Sequence, residues 1–342
     1  MKICRTSAAY MFAAGIAFAA APTLQAQAII DNGTIQLGVD ELGQLNIPGP
    51  RSSGGTDFVG LRYLPTNAES TAPGCLCEGW GAGISGGTGS GVKGWANNDS
   101  GDFNVTAVSF TSTASTATTV ADIGGLLRVK HEYKPSATPN LYEVVVTMTN
   151  LTGGTLGDGA HAIRYNRVMD WDIEPTAFRE NVTLQGWPAT ALVHTSDDGF
   201  AAPDVFATPG VFCAGAVNAD FTDAGPCDHG AFFTFGFTPL AAGASQSLSI
   251  FYGAAATEAD MLAALGVVGA EVYSLGQCES TTCETLGIPN TFAFGFKGVG
   301  GTPLPPPTTV PEPISMTLLG TGLVGLGAAR RRRRNKIEED KE

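Results

Sequence analysis

The strongest constraint on this chain is the rhythm of its apolar residues, which come in short runs closed off by Gly, Pro, Asn or Asp. Residues 103–110, 117–123, 126–133 and 141–149 read as four consecutive strands, and Thr152, Gly153 and Gly154 turn the chain back. A period of two with turns this close together makes neighbouring strands antiparallel. Asp31, Asn32 and Gly33 form a turn before a strand at 34–39. Residues 231–237, 247–252 and 290–297 extend the pattern, the last with alternating Phe292, Phe294 and Phe296. One stretch breaks the rhythm. Residues 257–265 predict a helix, with Thr257 as cap, Asp260 at the third helical position and Gly266 as the stop. Residues 48–94 read as loop-rich. The glycine run at 79–94 lacks the Lys-Ser/Thr ending of a phosphate loop and reads as a flexible surface loop.

Both ends carry addresses. Lys2 and Arg5 precede an apolar run at 8–21, and Ala26-Gln27-Ala28 offers the small residues that signal peptidase reads, so removal before Ile29 is expected. At the other end, 314–329 carries no charge. As a helix it would be about 24 Å long against a bilayer core of about 30 Å, and snorkelling arginines supply the difference. Arg330, Arg331, Arg332, Arg333 and Arg334 follow at once and fix that end in the cytoplasm, with everything before Pro311 outside. Pro311, Glu312 and Pro313 sit at the outer membrane surface, where two prolines interrupt helix continuation.

This order of parts, confined to 310–334, resembles the PEP-CTERM sorting tail of Gram-negative, exopolysaccharide-producing bacteria. The resemblance implies recognition by exosortase, an integral-membrane cysteine protease-transpeptidase that removes the tail and releases or transfers the protein at the surface. The charged extension 335–342 departs from the pattern, since such tails often stop sooner. The expected organisation is a signal peptide (1–28), an exported domain (29–299), a stiff, unpaired Pro-rich linker (300–310), a sorting tail (311–334) and a charged cytoplasmic end (335–342). The fold class is all-β: a mainly antiparallel β-sandwich, up to a large supersandwich, with one short helix and a C-terminal single transmembrane helix. With no repeat or composition break across 29–299, one domain is favoured over two.

Charge excludes some partners. The chain has 19 Lys plus Arg and 32 Asp plus Glu. Removing the two basic residues before Ile29, and the seven basic and four acidic residues of 330–342, leaves 10 against 28, or about −18. Such a surface repels nucleic acid and anionic lipid. Signal peptidase, exosortase and an exopolysaccharide are the expected partners, with the inner membrane engaged through the C-terminal helix before processing. Cys4 leaves with the signal. Cys75, Cys77, Cys213, Cys227, Cys278 and Cys283 remain as an even set in an oxidising compartment. Proximity favours Cys213 with Cys227 and Cys278 with Cys283, whereas Cys75 with Cys77 would close a very small ring. Zinc held by Cys-x-Cys and Cys-x4-Cys is the alternative.

The most unusual strand is 162–173. Its alternation sends Ile163, Tyr165, Met169, Trp171 and Ile173 to one face and Arg164, Asn166, Val168, Asp170 and Asp172 to the other, as core and charged ladder. Arg167 falls on the core face and requires a buried partner or an edge position. Asp170 and Asp172, with Cα atoms about 6.8 Å apart, are the candidate site. Arg164, Arg167 or Arg179 would neutralise them in a structural role; calcium binding and glycosidase-type catalysis are the alternatives. The acidic segments 97–102 and 197–199 read as solvated turns. A mutarotase-like site would draft His131 with Glu132, or His194. Otherwise no catalytic residue and no cofactor is assigned. The expected function is that of an exported surface or matrix protein, against a carbohydrate-active enzyme or a calcium-dependent polysaccharide-binding module.

Overall fold

The computed structural model describes residues 26–279, 282–283 and 290–307. The signal segment through residue 25 and the sorting tail, with its apolar stretch 314–329, lie outside the described residues, among which no helix is long and apolar enough to cross a membrane. In chain order the elements are β1 (Ala28–Asp31), β2 (Ile35–Val39), β3 (Ile47–Pro48), β4 (Phe58–Val59), β5 (Leu61–Tyr63), β6 (Ala68–Glu69), β7 (Gly79–Ile84), β8 (Lys93–Asn97), β9 (Val105–Ser112) and β10 (Ala117–Ile123). They continue with β11 (Leu127–Pro135), β12 (Leu141–Asn150), β13 (Ile163–Trp171), β14 (Glu180–Gln185), β15 (Leu192–Ser196), β16 (Phe221–Cys227), β17 (His229–Phe237), β18 (Ser245–Ala255), α1 (Glu258–Val268), β19 (Val272–Gln277) and β20 (Thr291–Lys297).

The meander β9–β12 forms one end of a nine-stranded antiparallel sheet, ordered β16-β14-β19-β20-β18-β12-β11-β10-β9, with β9 as its exposed edge. A five-stranded antiparallel sheet, β15-β17-β13-β7-β8, packs against it face to face. Phe233 of β17 meets the rings of Phe294 and Phe296 of β20 at 5.6 and 5.0 Å. Trp80 of β7 meets His131 of β11 at 4.7 Å. A four-stranded sheet, β1-β2-β5-β6, feeds Ile30, Ile35, Leu37 and Leu61 into the same core. Burying each such side chain contributes about 1.5–3 kcal/mol.

Between the sheets lies the partner Arg167 requires. Its Nε donates to Glu78 Oε1 at 2.5 Å, its Nη1 to the Tyr165 hydroxyl at 3.3 Å and its Nη2 to Gly43 O at 3.2 Å. Tyr252 Oη and Leu45 N donate to the two Glu78 oxygens at 2.8 and 2.7 Å. Burial opposes the charge on Arg167, and Glu78 with three surrounding tyrosines outweighs it, holding the guanidinium pKa well above its ordinary value.

Four expectations need correction. The glycine run is a surface loop only over 85–92: its first part, 79–84, is β7, a buried strand paired with β13 and β8. Its glycines serve close approach, since a Cβ on Gly81 would stand 1.9 Å from Pro203 O. The helix does not stop at Gly266 but at Gly269, the left-handed cap (φ 68°) whose N–H closes the last turn. Gly266 stays within the helix, and its missing side chain lets Pro305 O cross there, 2.3 Å from where a Cβ would be. That crossing is the third correction, because the linker is not unpaired over its first half. Leu304 N donates to Ala270 O at 2.8 Å, Gly301 N donates to Glu271 Oε2 at 3.1 Å, and Leu304 packs with α1 over the outer face of the nine-stranded sheet. Finally, the second face of β13 is no open ladder, since the segment after β15 covers it.

Candidate functional site

The period of two in β13 turns Trp171 inward, where its Nε1 donates to Ser274 Oγ at 3.0 Å, and sends Asp170 and Asp172 to the opposite face. Segment 197–215 lies over that face. Its Gly199 sits so close that a Cβ would meet Asp170 Cα at 2.7 Å. Asp170 and Asp172 are accordingly 1% and 0% exposed. Two more carboxylates join them. The register pairing Asp170 with Gly230 and Trp171 with His229 carries Asp228 opposite Asp172. β14 brings in Glu180, whose Oε1 accepts from Ile173 N at 3.2 Å and whose backbone faces Cys227 of β16. Oxygens of Asp170, Asp172 and Asp228 lie within 4.8 Å of one another.

The arginines expected to neutralise the pair go elsewhere. Arg167 is spent on Glu78. Arg179 pairs with Glu279 at 2.7 Å on the surface, and Arg164 donates to Val205 O at 3.2 Å with its guanidinium over the Phe206 ring. Asp170 Oδ1, both Asp172 oxygens, Glu180 Oε2 and Asp228 Oδ1 are buried without a hydrogen-bond partner. The other Asp170 oxygen lies 3.3 Å from Cys75 Sγ, but that sulfur is bonded to Cys77 and has no proton to donate. The structural reading of Asp170 and Asp172 as an arginine-paired ladder therefore fails on geometry.

The electrostatics follow from the crowding. Burial raises the Asp170 and Asp172 pKa values far above the carboxylate range, with Asp228 adding to the first and Asp170 and Glu180 to the second. Burial likewise pushes Glu180 up to about 9, against its backbone hydrogen bonds and helped by Asp170. A nest of this kind has two chemical options: hold protons, or hold a cation.

The acidic segment 197–199 is not a solvated turn throughout. Asp197 is buried and accepts from Phe212 N, Cys213 N and Gly215 N at 2.7, 3.0 and 2.9 Å, and it pairs with His229 Nδ1 at 3.1 Å. Burial works against its charge, and these donors, His229 foremost, outweigh it and hold the carboxyl far below its usual range. In the other acidic segment Asn97 does make the expected turn, its Oδ1 accepting from Asp99 N and Ser100 N.

The histidines do not assemble a base with Asp170 or Asp172. His131 is sealed between the sheets, Nε2 against Tyr165 Oη at 3.0 Å, and burial followed by Arg167 holds its pKa well below the ordinary value. Glu132 turns outward to Lys130 at 2.8 Å, while His194 Nε2 faces Pro209 O at 2.9 Å. Among the cysteines the structure joins Cys75 to Cys77, Cys213 to Cys227 and Cys278 to Cys283, which leaves no thiolate of these six to ligate zinc. Glu180 and Asp228 escaped the sequence reading. The acidic density around 170–180 was a signal for the first, but only the strand register reveals the second.

Residues 309–334 match the PEP-CTERM protein-sorting motif. The chain carries the tail of an exosortase-sorted surface protein. Among curated proteins none matches it.

Proposed function

We propose that the chain is an exported, non-catalytic β protein. After Sec export, signal peptidase removes residues 1–28; segment 314–329 and Arg330–Arg334 then hold the chain in the inner membrane; exosortase cuts near Pro311 and passes the domain to the surface or exopolysaccharide matrix. The motif match at 309–334 carries this reading.

Both ends of the domain are compatible with such trimming. Cleavage before Ile29 leaves Ile29, Ile30 and Asp31 paired with Gly38, Leu37 and Gln36, so β1 keeps three of its four rungs. At the far end Leu304 and Pro305 pack against the helix α1 region, and a cut near Pro311 leaves both in the mature chain. A non-catalytic role is also in keeping with the histidines, each candidate base being engaged in a structural contact.

The test is the intact mass of the protein in surface and medium fractions. A species beginning at Ile29 and ending near Pro311 is expected, and exchange of Pro311, Glu312 and Pro313 for Ala should accumulate uncut protein in the inner membrane. A surface product that still carries Arg330–Arg334 would refute the reading.

A further inference from the structure

The nest at the end of β13 has an unmet requirement. Five carboxylate oxygens from Asp170, Asp172, Glu180 and Asp228 are withdrawn from water, and no N–H or O–H of the protein replaces it. Asp172 is the extreme case, fully buried with neither oxygen bonded. We infer that Asp170, Asp172 and Asp228 bind one calcium ion, with Glu180 adding its charge from beside them, and that the ion ties the end of β13 to the junction of β16 and β17.

The donor set selects the class of metal. Every available ligand atom is a carboxylate oxygen, as hard cations require. The sulfurs beside Asp170 are locked in the Cys75–Cys77 bond. Both ring nitrogens of His229 are committed, Nδ1 to Asp197 Oδ2 at 3.1 Å and Nε2 to Ala224 O at 3.1 Å. A soft or borderline metal therefore finds neither thiolate nor free imidazole here.

Hydration then separates calcium from magnesium. Magnesium dehydrates reluctantly and keeps several waters, whereas calcium accepts a cage of protein carboxylates. Oxygens of the three aspartates lie within 4.8 Å of one another and are largely withdrawn from water, which suits calcium. Asp99 and Asp198 add negative potential at Asp170, and Asp228, the least buried of the four, marks the way in. With Arg164, Arg167 and Arg179 all engaged elsewhere, no arginine neutralises the nest, and His229 acts on Asp228 alone while held by Asp197.

The experiment uses the full chain, stripped with chelator and titrated near neutral pH with Ca²⁺ alone, with Mg²⁺ as the control. Melting temperature is one readout. The other is Tb³⁺ luminescence excited through tryptophan, since Trp171 stands between the two aspartates in sequence. Saturable 1:1 binding is expected, with Tm rising by about 5 °C at a hundredfold excess over the dissociation constant, and with Tb³⁺ displaced by Ca²⁺ far better than by Mg²⁺. Asp172→Asn and Glu180→Gln, which keep the side-chain shape, should each weaken binding at least about tenfold. Asp228→Asn at the less buried rim should do the same if either of the first two fails to fold. No Tm change and no Tb³⁺ signal up to about 5 mM metal, several times the roughly 1 mM upper end of dissociation constants for extracellular calcium sites, would overturn the inference. Unchanged affinity in a folded Asp172→Asn or Asp228→Asn variant would also overturn it, because binding would then belong to the acidic surface alone.

Discussion

Replacing Glu78 with Gln would strand the Arg167 guanidinium between the two sheets, and the structure allows the cost to be worked out. Both side chains are 0% exposed. Gln retains the shape, but its single carbonyl oxygen can replace only one of the two acceptors that Tyr252 Oη and Leu45 N now reach at 2.8 and 2.7 Å, so the substitution removes the charge together with one buried hydrogen bond. At an effective dielectric of about 20, unit charges about 4 Å apart attract by about 4 kcal/mol, and breaking a buried pair from one side costs about 3–5 kcal/mol. The expected loss for Glu78→Gln is about 4 kcal/mol. Arg167→Met should cost less, about 3 kcal/mol, because an abandoned carboxylate can take up a proton and an abandoned guanidinium cannot. In the double variant neither charge remains. Only weakened hydrogen bonds are left, at about 1–2 kcal/mol, so the singles should be strongly non-additive. Urea unfolding with the disulfides intact measures this through the transition midpoints at constant m-value. Single-variant losses that add to within about 0.5 kcal/mol would refute the claim that the pair acts as one buried unit.

Two further outcomes are expected. Burial pushes Glu69 up to about 7 despite Arg62 at 3.3 Å, so the folded state holds this proton more tightly than the unfolded chain, whose Glu titrates at 4.5. Stability should therefore fall as pH rises from about 4.5 to about 7, by about 3 kcal/mol at 1.36 kcal/mol per unit, and Glu69→Gln should lack this component; parallel urea-midpoint profiles for the two proteins would reject it. The Cys213–Cys227 bond, with a sequence separation of 14, should contribute about 3 kcal/mol in the chain-entropy model, read as the midpoint loss in the Cys213→Ser/Cys227→Ser variant; non-reducing peptide mapping that returns both as free thiols would refute the pairing.

The meander was legible because β10 to β12 are strands whose alternation is imposed by core on one side and a more open face on the other, whereas β9 is an exposed edge strand read from its β-branched residues and bounding turns. β7 was not, because all six of its residues are buried and three of them are glycines, so neither face carries a polar signal and the composition imitates a loop. Helix α1 was found, but its end was misplaced: a glycine tolerated for the passage of Pro305 looks, in one sequence, like a glycine that terminates. The site was half legible. Asp170 and Asp172 announce themselves by spacing, whereas Glu180 and Asp228 arrive through pairings with β16, β17 and β19 that no local pattern encodes.

β13 also explains why the acids lack an arginine counter-charge. Arg167 and Asp170 are three residues apart, and in a strand an odd separation puts side chains on opposite faces. The arginine is thereby delivered between the sheets to Glu78, and the aspartates are delivered under segment 197–215. Two buried charge sites of opposite sign are built on one strand, and the sheet itself keeps them from cancelling. The inner site is closed by a residue from the neighbouring β7 approach, Glu78, so it is complete as folded. The outer site gathers four carboxylates from three separate strand ends, and none of the three arginines reaches them. Holding four carboxylates together where water is excluded is stable only if they stay protonated or share a cation, and those states differ in what a change of calcium does to the melting temperature.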